Sequence, residues 1–591
     1  MIFLVAFGVR FLCWQDTRRD AVKVQSGVVN DYQHTGRLLR AARVRGFFNR
    51  SGSLADPGLL GHPPGYPIVL AIVGAVFGES DTAVQLVNVT FDALAAVLIF
   101  LIAIELLPFA CGVIAGLLVA LAPQFVWNSV LLLPDTLAVV PLLVAIYFLT
   151  RAVKRPHLII VLAAGVFVGL SCWLRANALL MAPFLALVVL LLFERKRRLR
   201  YAGALLAGAI LVVAPLTLRN WIVFEHFIPV SLGAGQTMLE GISDYDPERR
   251  FGIPNTDMGI MKMEAEEAGR PDYYSTLFAP DGIKRERMRL ARGFRIVREN
   301  PAWFASVMLR RAGSMLRLER ARLISPNPPV SHRLEVDESQ RIWLGTPADL
   351  LAGAAEKSPG AQLVAAPDGK TTQVVSDSST YGLQFKTSPI PIKKQYDYLV
   401  RLPMVVEEGR MAVNVAGSKT GKVYGSANVE KAEVKEVEPQ PLQIVEVPFV
   451  SGRDQFVSLV FNNAAPPTGR SVAYVGNAEL FELGPAASLW TRYPRMLISG
   501  IQKLFITAVM LPLALLGIFI LVRRRAWPTL VLLLSVPAYY LCFQSMLHTE
   551  YRYVLAIHYF LFVLVAIALY KIATWVLRQV KSRLPKPIEA S

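Results

Sequence analysis

Apolar stretches of near-spanning length recur along this chain, separated by short basic clusters, and they leave few folds open to it. A hydrocarbon core of about 30 Å takes about 20 apolar residues as a helix. Inside it every backbone N–H and C=O must find a partner within the protein. Candidate spans are 1–14, 84–106, 109–123, 132–150, 158–174, 177–193, 202–218, 500–522, 527–543 and 553–573. Hydrophobic residues make up 54% of 591 positions, too many for a soluble multidomain protein of this length. The fold class read from this is a polytopic α-helical membrane protein of about ten spans, carrying an extracytoplasmic β-sandwich.

Basic residues test the orientation of those spans. Arg151, Lys154 and Arg155 follow the fourth, and Arg195 to Arg198 follow the sixth. Arg523 to Arg525 follow the eighth, and Lys581, Arg583 and Lys586 follow the last. Alternating spans put all four clusters on one face, which is then cytoplasmic. The turn between the second and third spans carries no basic residue and does not test the scheme. Span 1–14 carries Arg10 and lacks both a basic leader and a small-residue cleavage site. It reads as a transmembrane helix rather than a signal peptide, and the true start can lie upstream. Segment 66–78 is too short to cross and reads as a re-entrant or interfacial helix.

The net charge of +18 raises nucleic acid as a partner. Much of that charge lies in the orientation clusters, and no zinc-finger or nucleotide-loop pattern accompanies it, so nucleic acid is excluded. Cys13, Cys111, Cys172 and Cys542 fall in apolar segments. They have no metal-ligand spacing and read as small core residues.

The chain then divides as follows. Residues 1–219 form an N-terminal transmembrane catalytic module with outer loops at 15–65 and near 124–135. Residues 220–325 form a mixed extracytoplasmic segment. Within it Ala302 to Leu323 mixes Trp303, Phe304, Val307 and Met308 with Arg310, Arg311, Arg317, Arg320 and Arg322. That pattern fits an amphipathic helix on the membrane, or a surface helix of a soluble domain. Residues 326–379 are rich in Pro, Ser, Ala and Gly and read as a loose connector. From 380 to 486, alternating runs such as Met411–Val415, Val445–Phe449 and Val457–Phe461 are separated by Gly, Pro and Asn clusters, including 462–467. These predict a β-sandwich, and its ending, Val475-Gly476-Asn477-Ala478-Glu479-Leu480-Phe481-Glu482-Leu483, resembles the last strand of carbohydrate-binding jelly rolls. Residues 487–577 return to the membrane, and 578–591 form a cytoplasmic tail.

On this map a set of polar residues shares the outer face. It comprises Asp31-Tyr32, His62-Pro63-Pro64-Gly65-Tyr66-Pro67, Pro134-Asp135, Arg175 in Leu174-Arg175-Ala176-Asn177, Arg219 before Asn220-Trp221, and His548-Thr549-Glu550-Tyr551-Arg552-Tyr553. In order and spacing these elements resemble the GT-C glycosyltransferases that use polyprenyl-phosphate sugars, especially the protein O-mannosyltransferase and lipid A aminoarabinose transferase group. The resemblance covers roughly residues 1–320 and 495–575. One departure is Val554-Leu555-Ala556 after the Arg-Tyr pair, where many relatives carry proline.

The resemblance implies a GT-C-like membrane fold and inverting transfer of a hexosyl or pentosyl group from a polyprenyl-phosphate donor. The acceptor is a hydroxyl of a protein, lipid A or a cell-envelope glycan. The enzyme would lie in the bacterial inner membrane, surrounded by membrane lipids, with its active site extracytoplasmic. Asp31 matches the family's first-loop catalytic aspartate and is assigned the base; its alternative is a solvated acid or helix cap. Asp135 matches a second acidic position and would orient the acceptor or a metal; it can equally cap the fourth span. His34, Arg37, His62, Arg175, Arg219 and Arg552 are the candidate donor-phosphate ligands, since forked guanidinium groups suit phosphate. For the arginines at span ends, snorkelling is the other reading. Arg37, Arg40 and Arg43 follow Asp31 at three-residue spacing, an outward basic stripe that suits a lipid phosphate or a solvated helix face. Tyr66, His548 and Glu550 complete the cavity. Asp31, His34 and His62 are candidate ligands for a divalent metal ion, although separated histidines are not a metal signature.

Two other classes compete with the enzyme. A lipid or glycan transporter, or flippase, calls for internal repeats and polar helices near mid-bilayer, and the sequence shows no repeat. A non-catalytic assembly protein would use the sandwich to bind glycans.

Overall fold

The computed structural model describes residues 1–352, 354–366, 369–379, 381–431, 442–465 and 469–583. Lys586, Pro466 and Pro467 from the sequence argument lie outside this set, as do the side chains of Arg43 and Lys581. The chain folds as two units, Met1–Ile324 with Ile498–Ser591, and Ser325–Leu497.

The first unit is helical. Its elements run α1 (Ile2–Lys23), α2 (Ser26–Gly46), α3 (Gly65–Phe77), α4 (Asp81–Leu106), α5 (Phe109–Leu121), α6 (Pro123–Asn128), α7 (Asp135–Lys154), α8 (Leu158–Leu174), α9 (Met181–Leu192) and α10 (Arg198–Phe224). Then come α11 (Ala234–Ser243), α12 (Asp257–Ala268), α13 (Gly282–Glu299) and α14 (Pro301–Met315). By length and composition, five helices among the described residues can cross a membrane unaided: Asp81–Leu106, Asp135–Lys154, Arg198–Phe224, Trp527–Met546 and Tyr551–Val580. The other expected spans take shorter forms. Segments 109–123, 158–174 and 177–193 form helices of 13, 17 and 12 residues, which cross only where neighbours thin the bilayer. Segment 1–14 is part of the 22-residue α1. At 13 residues α3 is about 20 Å long, too short to span.

Small residues let these helices approach. A Cβ on Gly165 of α8 would collide with the carbonyl of Leu205, and one on Gly208 of α10 with that of Leu162. The two backbones therefore touch, as close membrane packing favours. A buried ion pair ties α1 to α4: Arg10 Nε donates to Asp92, and both side chains are almost fully enclosed. Tyr559 Oη donates to the other Asp92 oxygen at 2.5 Å. The remaining Arg10 donors reach the carbonyls of Ala6, Ala120 and Val119.

The segment between α10 and residue 324 folds around its own small core of Met238, Leu239, Ile242, Ile260 and Phe304. The helix expected over 302–323 is shorter, ending at Met315. Its apolar stripe of Phe304, Val307 and Met315 is buried in protein, which corrects its placement on the membrane. Arg311 is drawn inward with it, donating to the carbonyls of Gly241 and Ser545.

The second unit is a β-sandwich. Its strands are β1 (Arg341–Gly345), β2 (Ala354–Lys357), β3 (Gln362–Ala365), β4 (Thr372–Val375), β5 (Leu383–Thr387), β6 (Ile390–Pro391), β7 (Tyr396–Glu408), β8 (Arg410–Gly417), β9 (Val423–Glu430), β10 (Gln443–Val450), β11 (Phe456–Asn463), β12 (Val472–Val475) and β13 (Ala478–Pro485). A short helix, α15 (Pro347–Ala352), follows β1. One sheet runs β1-β13-β7-β12-β4-β3 with β10 also on β7, and the other β2-β5-β11-β8-β9 with β6 on β11. Alternating Met411, Val413 and Val415 face the core with Val457, Leu459 and Phe461, and Phe385 stacks on Phe461 at 4.2 Å. The loose connector expected over 326–379 is a correction, because β1 to β4 join the two sheets. Those strands are only four or five residues long, too short for alternation to announce them.

The chain returns through α16 (Arg492–Gln502), α17 (Thr507–Arg523), α18 (Trp527–Phe543) and α19 (Leu555–Arg583). Expected span 500–522 is thus interrupted between Gln502 and Thr507. Cys13, Cys111 and Cys172 are buried, whereas Cys542 is exposed on α18, so only three of the four are core residues.

Candidate functional site

The hairpin of α7 and α8 sets the site. These helices run antiparallel, so the first residue of α7 and the residue after α8 lie at the same level. They are Asp135 and Arg175. Arg175 leaves the helix with φ −147° and ψ 123°, which turns its side chain toward the start of α7. Its Nη2 lies 2.6 Å from Asp135 Oδ1. The contact is a close ion pair, with angles outside hydrogen-bond geometry.

A turn before α19 brings the second cation. Arg552 sits in the Tyr551–Val554 turn, with Nη1 3.7 Å from Asp135 Oδ2. It also donates to Glu550 through Nε at 2.7 Å and Nη2 at 3.0 Å. The Tyr553 ring serves both arginines: the Arg175 guanidinium lies 4.2 Å from its centroid and that of Arg552 5.1 Å. Burial opposes ionisation of Glu550, but the hydrogen bond and charge of Arg552, with His548 and Arg175, carry its pKa below the ordinary value. Two carboxylates and two guanidinium groups thus face one another in one cluster.

The His-Pro-Pro-Gly-Tyr-Pro segment forms one wall. A Cβ on Gly65 would collide with the Trp173 carbonyl, so only glycine lets the start of α3 meet the end of α8. Tyr66 beside it is fully buried, and its ring meets Tyr32 of α2 edge-on at 5.2 Å. His62 lies against Tyr32 at 4.6 Å. Burial, with the nearby charges of Arg175 and Arg552, lowers the His62 pKa to about 4. His62 is therefore neutral at ordinary pH, and offers a hydrogen bond rather than a charge. Burial pushes the Tyr32 hydroxyl up to about 12. The Tyr66 hydroxyl has no hydrogen-bond partner in strict geometry among the described residues.

Thus Asp135, Arg175, Arg552, Glu550, His62 and Tyr66 come together. Other sequence-predicted residues lie elsewhere. Asp31 lies in the second turn of α2 rather than at a helix cap, and is exposed where Tyr32 beside it is buried. Burial raises its pKa, with His34 opposing, and its carboxylate has no ion-pair or hydrogen-bond partner among the described residues. His34 is exposed one turn later. Arg37 and Arg40 both turn to Glu79, at 4.0 and 2.7 Å. Arg219 is buried and bonded to the carbonyls of Phe47 and Leu54 and to Asn220; it pins the loop after α2. His548 pairs with Asp244 at 2.8 Å, near the end of α11. Among the described residues no three His, Cys, Asp or Glu side chains converge as a metal site requires, so Asp31, His34 and His62 do not form one.

Two features escaped the sequence reading. Tyr553 was quoted only as a neighbour of Arg552, and nothing local marks it as a shared platform. Asp92 had a signal: an acid well inside a span calls for a partner, and Arg10 was in view.

Residues 61–221 match the family model described as dolichyl-phosphate-mannose-protein mannosyltransferase. No curated protein matches the chain. Among solved structures, the archaeal oligosaccharyltransferase AglB from Archaeoglobus fulgidus, in complex with an inhibitory peptide and a dolichol-phosphate, is similar at 12% identity over 95% of this chain and 49% of that one, with a TM-score of 0.39. This chain spans about half that protein's length. The apo oligosaccharyltransferase from the same organism gives 15% identity over 49% and 39% of the two chains, with a TM-score of 0.30. A carbohydrate-binding module from Cellvibrio mixtus lichenase 5A, in complex with cellotriose, gives 13% over 24% of this chain and 97% of the module, with a TM-score of 0.18. The family match falls on the stretch that carries His62, Tyr66, Asp135 and Arg175, so the cluster lies largely within the part of the chain that is similar to that family.

Proposed function

We propose that this chain transfers a sugar, with inversion, from a polyprenyl-phosphate donor to an acceptor hydroxyl on a protein, lipid A or a cell-envelope glycan. The reaction takes place at the extracytoplasmic face of the bacterial inner membrane. The observation that carries the reading is the convergence of Arg175 and Arg552 on Asp135, with Tyr553 beneath both. Residues separated by hundreds of positions gather two cations, held by acids, at one end of a helix hairpin. Such a pair suits a departing phosphate, and groups aimed at developing charge make a large contribution to catalysis.

Asp135 has guanidinium groups facing both oxygens, so its role is to position them. Asp31 has a partly desolvated carboxylate with no ion-pair or hydrogen-bond partner among the described residues, which suits a base, and Tyr32 beside it reaches the cluster. On this reading Asp31 takes the acceptor proton while Arg175 and Arg552 hold the donor phosphate. His62 and Tyr66 line the wall and can donate hydrogen bonds.

Asp31→Asn keeps the shape and removes the proton acceptor. Turnover should fall by about 10²-fold or more, while donor-lipid affinity stays within about twofold. Near-normal turnover in a well-folded Asp31→Asn protein would overturn the assignment of the base.

A further inference from the structure

Helix α13 has two unlike faces. Inward, its charges are matched: Glu264 accepts from Arg285 and Arg289, and Glu286 accepts the backbone N–H groups of Gly233 and Gly235. Outward, Lys284, Arg287, Arg295 and Arg298 are exposed, and none has an ion-pair partner among the described residues. They follow one another at spacings of three, eight and three residues, a single stripe on a helix. Met288, 60% exposed, and Phe294, 57% exposed, lie in the same stripe.

The position of this face narrows its partner. Leu218 and Trp221, near the end of α10, are each 56% exposed, and Phe227 just beyond is 65% exposed. Large exposed apolar and aromatic groups at the end of a spanning helix mark the membrane boundary. His226, next to Phe227, shares a cavity with Ile283, Lys284, Arg287 and Met288. The first turns of α13 are therefore at the level where α10 leaves the membrane. Basic residues interleaved with Met and Phe on an exposed helix are the composition of an interfacial element. The stripe is about 21 Å long, a surface rather than a pocket.

We propose that this face of α13 docks on the anionic phospholipid headgroups of the leaflet at which α10 ends. The cations meet lipid phosphates while Met288 and Phe294 enter the apolar boundary. The proposal needs the membrane unit and is independent of the transfer reaction, so its test reads no turnover.

The full-length chain carries a spin label at Ala291→Cys, with the exposed Cys542 changed to Ser; the other cysteines are buried. It is placed in nanodiscs of phosphatidylcholine alone, or with one-third phosphatidylglycerol. Accessibility to a water-soluble paramagnetic reagent and to oxygen is then read. Anionic lipid should shield the label from the aqueous reagent and raise its oxygen exposure, and 0.5 M salt should reverse this. Each basic residue near anionic lipid contributes about a fivefold preference, so Lys284→Glu with Arg287→Glu should abolish the lipid dependence. The salt response of the unsubstituted face tests the proposal even if that variant folds poorly. Equal aqueous accessibility in both lipids overturns the proposal. So does shielding that appears only with a soluble anionic polymer, which would assign the face to an anionic glycan or peptide.

Discussion

Replacing Asp135 by Asn tests whether its carboxylate holds the two arginines in place of a ligand. In the resting site Asp135 Oδ1 is 2.6 Å from Arg175 and Oδ2 is 3.7 Å from Arg552. Arg552 retains both Glu550 bonds when the charge is removed. Arg175 loses its only carboxylate among the described residues and keeps the Tyr553 ring. Its side chain is 16% exposed, so some water can replace the lost partner. A charged interaction of this kind is worth about 1.5–3 kcal/mol, short of the roughly 3–5 kcal/mol for a fully buried charge left alone. We expect Asp135→Asn to lose about 2–3 kcal/mol without ligand. A donor phosphate would then meet cations with no competing carboxylate. Polyprenyl phosphate at a hundredfold its Kd stabilises by about 2.7 kcal/mol and should recover most of the loss. Thermal unfolding in detergent, with and without polyprenyl phosphate, measures both quantities. The ligand-induced shift should be at least as large in Asp135→Asn as in the parent chain, and should be lost in Arg175→Ala. An unchanged ligand-free melt would mean the ion pair contributes nothing. A lost ligand shift in Asp135→Asn would mean the carboxylate itself contacts the ligand, and would refute the positioning role.

Asp92→Asn should destabilise the membrane unit by about 3–5 kcal/mol, because Arg10 would remain charged and enclosed; unfolding in denaturant with Asp92→Asn and the double variant Arg10→Met, Asp92→Leu reads it, the double variant being the more stable of the two. His62 has a folded pKa near 4 against an ordinary 6.5, so the unfolded chain takes the proton first. Its contribution is complete above about pH 6.5 and is lost as pH falls toward 4, by ~2–3 kcal/mol; His62→Gln should flatten that part of the stability profile, and an unchanged slope would show His62 to be solvated. Residues 325–497, expressed alone, should melt cooperatively with β-type circular dichroism, whereas a piece starting at 380 should not, since it lacks β1 to β4; equal folding of both would mean those strands are dispensable.

Much of the fold was legible because periodicity is a long-range property. The apolar spans and the alternation in β8, β10 and β11 each extend over enough residues to stand out. The strands before residue 380 are only four or five residues long, and they are strands only because β5, β12 and β13 offer them edges. The stretch after residue 301 is amphipathic as its pattern indicates, and of the two surfaces that pattern allows, membrane or protein, its apolar stripe takes the protein. Pattern gives the apolar stripe, but the core of α11 and α12 that covers it comes from tertiary folding. The face left for the membrane belongs to α13, where an inward set of charges conceals the outward stripe when the sequence is read along one line.

The arginines show where sequence reading stops. Arg10, Arg175, Arg219 and Arg552 all lie in or beside apolar segments, and residue type alone does not rank them. An arginine has five donors in a fixed fork, and what separates these four is how many are already engaged. Arg10 is taken up by Asp92 and three carbonyls, and Arg219 by two carbonyls and Asn220. Both act as ties. Arg175 has only the Asp135 carboxylate and the face of Tyr553 as side-chain partners among the described residues. Arg552 shares itself between acids without closing its fork on the Asp135 side. Unused donors on a charged, partly buried side chain are costly to keep in a membrane protein, unless a ligand with matching acceptors takes them up. A phosphate presents several acceptors to such a fork. On the proposed function, that capacity marks Arg175 and Arg552 as the phosphate-binding groups and leaves Arg10 and Arg219 to the architecture.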